Sequence, residues 1–290
     1  MLLGTLIYGF VNSVILALVA LGFNLTFGIS GVANFAYGAL YILAGFLSWV
    51  LFNSVDLPYA FAALFSVLLT AIAGALMYRF VLLRIRGMVL SEVIATFGIG
   101  LSILELFKYL GFIGFEYTLP VFIDSSIDIG QVVIDMQRVF IVTIGIAMAG
   151  FLWLFTHHTK TGLRFRGIAQ DERTALSLGI NSDWVATLSV SFGAAYAAIA
   201  AIVILPLGTI TVDHGYEVLI NALAVCIVGG LGSTGGVVIA SFLLGYAQTF
   251  TATYLESHWV MVVPLVAILA ILAIKPSGLY GEQKELEERI

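Results

Sequence analysis

The sequence predicts an all-α fold, a polytopic integral membrane protein with eight or nine transmembrane helices, and three observations carry that prediction. The 290 residues are 61% hydrophobic and only 10% charged, whereas soluble chains settle near roughly 45–50% apolar and about 25% charged. Apolar runs close to the roughly 20 residues that cross a bilayer recur along the whole length, separated by polar or Gly/Pro punctuation. Ten of the 12 basic residues fall into two loops and the carboxy-terminal tail, the clustering that marks cytoplasmic segments.

The runs follow in order, as one domain over residues 1–290. Leu3 to Phe27 has no charged leader and no small-residue cleavage site, so it reads as a retained span. After Gly28-Ile-Ser-Gly31 comes the glycine-spaced run Asn34 to Phe52, then Leu57 to Phe80, which leads into a loop with Arg79, Arg84 and Arg86. Val89 to Phe112 contains Glu92, which reads as an interfacial anchor, and Glu105 and Lys108, whose spacing lets them pair on one helix face. The connection 114–137 holds Glu116, Asp124, Asp128 and Asp135 with no basic residue, and should face outward. Val139 to Phe155 ends in the basic loop 157–183 with Lys160, Arg164, Arg166 and Arg173, expected to be cytoplasmic. Trp184 to Leu205, Glu217 to Val228, Val237 to Tyr254 and Trp259 to Ile274 complete the set. Glu217 to Val228, about a dozen residues, is short for a full crossing and reads as a half helix or a dip held inside protein. Nine crossings put the amino terminus and 209–216 outside, and 28–33, both basic loops and the tail 275–290 inside. The charged end of this tail, from Gly281 onward, reads as solvated and fraying.

Two glycine turns, Gly28–Gly31 and Gly229–Gly236, lie on the same expected side and are each followed by two helices. They suggest a duplicated three-helix unit of like orientation, although close helix packing also selects glycine.

Composition excludes several functions. With 12 basic against 17 acidic side chains, a soluble enzyme of this length lacks the charge to stay dispersed. The net charge of −5 with no sustained basic patch argues against nucleic acid as a partner. Cys226 lies in an apolar run and reads as a packed small hydrophobe. His157, His158, His214 and His258 have no metal-ligand spacing, so no metal site, cofactor or catalytic residue is expected. Gly230-Leu-Gly232-Ser-Thr-Gly235 fits GxGxxG, but an uncharged membrane-length run follows it and no βαβ unit does. No P-loop lysine is present, so ATP, if used, must be bound by another chain.

Two constellations remain. In the loop 157–183, Asp171 and Glu172 precede Ala175, Leu176, Leu178 and Ile180, with Gly179 as a stop. This predicts one short amphipathic helix with acids at its positive end. So short a helix must dock, on its own spans or on a partner. Asn12, Asn24, Asn34, Asn221 and Gln248 are uncharged polar groups inside apolar runs, suited to helix–helix hydrogen bonds or to contact with a transported solute. They form no acidic or histidine relay of the kind a proton-driven carrier shows.

These residues resemble the LivH-type permease subunit of branched-chain amino acid ABC transporters. The resemblance rests on Asn24-Leu-Thr-Phe-Gly28-Ile-Ser-Gly31-Val-Ala-Asn34-Phe-Ala-Tyr37-Gly38, Ile94-Ala-Thr-Phe-Gly98, Arg166-Gly-Ile-Ala-Gln-Asp171 through Ala175 to Gly179, and Gly229-Gly-Leu-Gly-Ser-Thr-Gly235, in order over essentially the whole chain. It implies an inner-membrane importer subunit without enzymatic activity. The implied partners are a LivM-type permease or a second copy of itself, two nucleotide-binding ATPase subunits and a periplasmic or extracellular substrate-binding protein. It implies coupling to the ATPase through Asp171, Glu172, Ala175, Leu178 and Gly179. Asn34, Tyr37, Asn221 and Gln248, within the apolar runs, are the candidates for the path. Tyr37 departs from the family pattern, in which histidine is commoner, and this leaves the substrate open. A permease for urea or short amides shares nearly the same pattern. A stand-alone carrier or channel is the rival from another class.

Overall fold

The computed structural model describes residues 2–112, 117–129 and 132–281. Glu116 of the outer loop and the tail beyond Gly281 lie outside the described residues. The elements are α1 (Leu2–Ser30), α2 (Tyr37–Asn53), α3 (Tyr59–Phe80), α4 (Val89–Tyr109), β1 (Ser126–Ile129), β2 (Val132–Asp135), α5 (Met136–His158), α6 (Lys160–Gln170), α7 (Glu172–Ser177), α8 (Ser182–Ile204), α9 (His214–Gly229), α10 (Thr234–Tyr254) and α11 (Val262–Ile274).

Among the described residues, seven helical segments are long and apolar enough to cross a membrane, and two shorter apolar helices, α2 and α9, accompany them. The sequence singled out only the second of these as short. At 17 and 16 residues, α2 and α9 reach about 24–26 Å, less than the roughly 30 Å hydrocarbon core. Both are largely surrounded by protein, where irregular backbone at their ends can be satisfied.

Burial separates the centre from the rim. In α1 and α8, 67% of the most apolar window is enclosed, against 17% in α5 and 6% in α11, so α1 and α8 form the core and α5 and α11 lie at the rim. The central pair approaches closely because its contact is built from small residues. A Cβ on Gly193 would lie 2.9 Å from the Gly22 carbonyl oxygen, and Thr26 Oγ1 lies 3.4 Å from the Ser189 carbonyl oxygen. α10 packs along α1, and α3 along α8; α2 lies against α8, and α9 against α1. This exchange of partners relates α1–α4 to α8–α11. The two groups begin on opposite sides of the membrane, whereas the glycine turns suggested units of like orientation. The two turns press together, a Cβ on Gly28 lying 3.2 Å from the Gly232 Cα.

Loops segregate to two ends as the basic residues required. At the outer end, the Ile210 N–H donates to the Tyr117 carbonyl and the Tyr8 hydroxyl to the Val133 carbonyl, both at 2.8 Å. Buried Gln137 donates to the Val203 carbonyl at 2.8 Å and accepts from Phe122 N–H at 3.0 Å. The outer loop also contains an antiparallel hairpin, Ser126 opposite Asp135, which the sequence reading treated as plain connection. At the inner end, Asn24 Oδ1 accepts from Gly232 N–H at 2.8 Å. There Leu279 and Tyr280 donate their N–H groups to the carbonyls of Val228 and Gly229, folding Lys275–Gly281 over the second glycine turn.

Glu105 and Lys108 pair at 2.7 Å, as their spacing allowed. Glu92 is no interfacial anchor. It is 5% exposed, and its carboxylate accepts from Gly87 N–H at 2.8 Å, fixing the turn before α4. Cys226 is fully buried with its thiol toward the Ala20 carbonyl. The GxGxxG segment is a helix–helix turn in which Ser233 caps α10 through Gly236 N–H.

Candidate coupling surface and translocation path

Beyond the inner ends of the spans the chain builds two helices where the sequence predicted one. α6 was missed because its mean composition is polar, yet Phe165 and Ile168 lie three apart and both are buried. Phe165 packs against Phe155 and Phe192. Thr159 caps α6 through Gly162 N–H at 2.9 Å.

α7 begins and ends as its residues dictate. Asp171 is the amino-terminal cap, accepting from Arg173 N–H at 2.9 Å, from Thr174 N–H at 3.3 Å and from the Thr174 hydroxyl. The Thr174 hydroxyl and amide, with the Arg173 amide, hold the Asp171 carboxyl below its ordinary value. At the other end Gly179 adopts φ +79°. Its N–H bonds to the Leu176 carbonyl and that of Ile180 to the Ala175 carbonyl, the paired bonds of a Schellman stop. A Cβ on Gly179 would meet nothing within 4 Å, so glycine is needed there for its backbone angle and not for space.

The five expected coupling residues divide by orientation. Ala175 is 3% exposed and belongs to the core, so it seats the helix and offers no surface. Asp171 and Gly179 shape the two ends. Leu178 is 77% exposed, and two residues absent from the expectation, Leu176 and Leu163, are also exposed. Glu172 turns back toward the spans and pairs with Arg86 in the α3–α4 turn. Arg86 also reaches Asp183 Oδ1 at 2.5 Å and Ser182 Oγ at 2.9 Å in the first turn of α8. No sequence spacing could reveal a contact across 86 and 97 positions.

The four candidate path residues are not brought together. Tyr37 is fully enclosed, its hydroxyl donating to the Val19 carbonyl at 2.7 Å and its ring edge-on to Phe23. Asn34 is 2% exposed and shapes the turn before α2 by accepting from Ala36 N–H at 3.1 Å. Asn221 and Gln248 do meet. Gln248 Nε2 donates to Asn221 Oδ1 at 2.9 Å, and Gln248 Oε1 accepts from Asn12 Nδ2 at 3.1 Å. One polar chain thus joins α1, α9 and α10, the helix-linking role open to such groups.

A different place has the small residues a path would need. The amino-terminal turns of α2 and α9 meet where Gly38 and Gly215 touch, and a Cβ on Gly38 would overlap the Gly215 carbonyl oxygen. A small cleft there is lined by Phe35, Phe97, Leu101 and Tyr216. Thr96 Oγ1 of α4 accepts from Phe35 N–H at 3.2 Å beside it. Among the described residues, no group of three His, Cys, Asp or Glu could hold a metal ion.

Seven membrane-length apolar helices, buried small-residue helix crossings and two short apolar helices meeting end to end define, among the described residues, a multi-pass membrane protein. The chain belongs to the branched-chain amino acid transport system / permease component family, which matches residues 5–272. It is 27% identical over 280 residues to the high-affinity branched-chain amino acid transport system permease protein BraD of Pseudomonas aeruginosa, with 91% of each chain covered. The corresponding LivH protein of Escherichia coli K12 gives the same identity and coverage. A probable LivH of Methanocaldococcus jannaschii is 26% identical over 96% of this chain and 91% of that one. Among solved structures, PsaBC from Streptococcus pneumoniae in complex with Fab shares the fold, with a TM-score of 0.52 at 13% identity over 95% of this chain and 94% of that one.

Proposed function

We propose that this chain is the translocating subunit of an ATP-binding-cassette importer for branched-chain or related hydrophobic amino acids in the cytoplasmic membrane. The observation that carries the reading is the set of exposed leucines, Leu163, Leu176 and Leu178, on short helices outside the spans. Apolar side chains in water on a helix too short to stand alone mark a surface that a partner covers. One of two ATPase subunits would dock there, and closure of the nucleotide sites between the pair would move α6 and α7. A second permease, of LivM type or an identical copy, would complete the membrane unit. A substrate-binding protein would dock at the outer loop with Asp124, Asp128 and Asp135. An apolar path suits a zwitterion handed over by such a protein.

The test is Leu178→Arg in proteoliposomes with the partner subunits. ATP-driven uptake should fall and the ATPase should no longer co-purify, while helical content and unfolding midpoint stay unchanged. Undiminished ATP-driven uptake would refute the docking assignment. Uptake by this chain alone, driven by an ion gradient, would favour a stand-alone carrier, and a co-purifying binding protein specific for urea or short amides would move the substrate class.

A further inference from the structure

We infer that Arg86 is the positioning residue through which movement of α7 reaches the membrane core: one guanidinium clasps the coupling helix to the α3–α4 turn and to the first turn of α8. The inference rests on the permease reading above and extends it to a defined route. The clasp has three arms on two neighbouring elements, Glu172 at the start of α7 and Ser182 with Asp183 at the start of α8. It is a fork-shaped donor set meeting two carboxylates, a geometry a lysine cannot reproduce. Exposed single ion pairs count for little. Arg86 is different in that its side chain is 29% exposed and shared between two acids.

The turn that bears it is stiff. Glu92, itself buried, accepts from the neighbouring Gly87 N–H, and Leu82 is enclosed at 1%. A pull on Arg86 therefore moves backbone and not just a side chain. Tyr78, in the last turn of α3, is also 1% exposed and has a buried hydroxyl without a hydrogen-bond partner.

From the turn the route is contiguous. Glu92 lies in the first turn of α4, Thr96 one turn later donates to the Glu92 carbonyl at 2.9 Å, and the same hydroxyl accepts from Phe35 N–H at 3.2 Å. Gly100, a further turn on, lies against Ala36, where an added Cβ would be 3.2 Å from the Ala36 Cα. Phe35 and Ala36 immediately precede α2, whose Gly38 meets Gly215 of α9. Displacement of α7 is thus delivered to the point where the two short helices touch. Contiguity alone is not coupling, so the assignment stands on a coupled measurement.

The experiment uses the complete complex in proteoliposomes, with substrate-stimulated ATP hydrolysis and solute uptake measured on the same vesicles. Arg86→Gln should leave assembly and basal hydrolysis intact and lower solute moved per ATP by about fivefold or more, the range of a typical coupling free energy. Arg86→Lys should restore it in part, Glu172→Gln should lose less than Arg86→Gln, and the double variant Arg86→Gln/Glu172→Gln should be no worse than Arg86→Gln alone. A ratio unchanged within about twofold in Arg86→Gln, or additive loss in the double variant, would overturn the clasp while leaving the permease reading intact. Wild-type vesicles lacking ATP-dependent uptake would instead remove the permease reading, and the clasp with it. If Arg86→Gln does not fold, Glu172→Gln, on an exposed side chain, carries the test: an unchanged ratio there overturns the assignment.

Discussion

Replacing Gln248 by methionine separates two roles for the polar chain inside the bundle. The substitution keeps side-chain length and removes two hydrogen bonds, the 3.1 Å bond from Asn12 and the 2.9 Å bond to Asn221. Interhelical hydrogen bonds in membranes average about 0.6 kcal/mol and reach at most about 1.7, so the pair is worth about 1.2 kcal/mol and no more than about 3.4. Asn12 keeps its 3.2 Å bond to the Gly245 carbonyl, which places the expected loss near the lower figure, about eightfold in the unfolding equilibrium. SDS titration of the purified protein in micelles measures it, with Asn12→Ala and Asn221→Ala closing the double-mutant cycles. ATP-driven uptake, normalised to folded protein, should remain. Stability unchanged within about 0.3 kcal/mol, the ordinary scatter of independent sites, together with lost uptake would refute the linking role and return Gln248 to the path.

Two further outcomes follow from the geometry. Gly38→Val drives a branched side chain into the Gly215 carbonyl, and because backbone faces backbone the cost should reach or exceed the roughly 1–3 kcal/mol of overpacking; a lower SDS midpoint and poor monodisperse yield are expected, and an unchanged midpoint would show that the crossing is looser. The Asp171 carboxyl, held low by Thr174 and Arg173, stabilises α7 fully above its unfolded value near about 3.9 and loses that contribution as pH falls through its lower folded value; the affinity of the ATPase for the permease should therefore be flat from about pH 5 upward with respect to this group, weakened at every such pH by Asp171→Ala and largely kept by Asp171→Asn.

What could be read in advance was local or global, seldom intermediate. Apolar run length found the long helices, and the basic loops predicted which ends would meet, as Arg86 beside Asp183 shows. The start and stop of α7 were readable because Asp171 and Gly179 act within a few residues of themselves. α6 and the outer hairpin were not, since Phe165 and Ile168 sit among charges and the hairpin strands are only four residues each. Path residues were chosen by polarity, and polarity alone cannot distinguish a solute contact from a bond between helices. Tyr37, Asn221 and Gln248 all proved to have protein partners. Glu92 and Arg86 needed the third dimension, because their roles depend on what a turn brings alongside.

The bond from the Gly232 N–H to Asn24 spans 208 residues, and that from Asn12 to the Gly245 carbonyl spans 233. The central helix α1 is thus made well before its main partners α8 and α10. Helices made late therefore complete the hydrogen bonds of one made early. The centre of the bundle can close only once most of the chain is present.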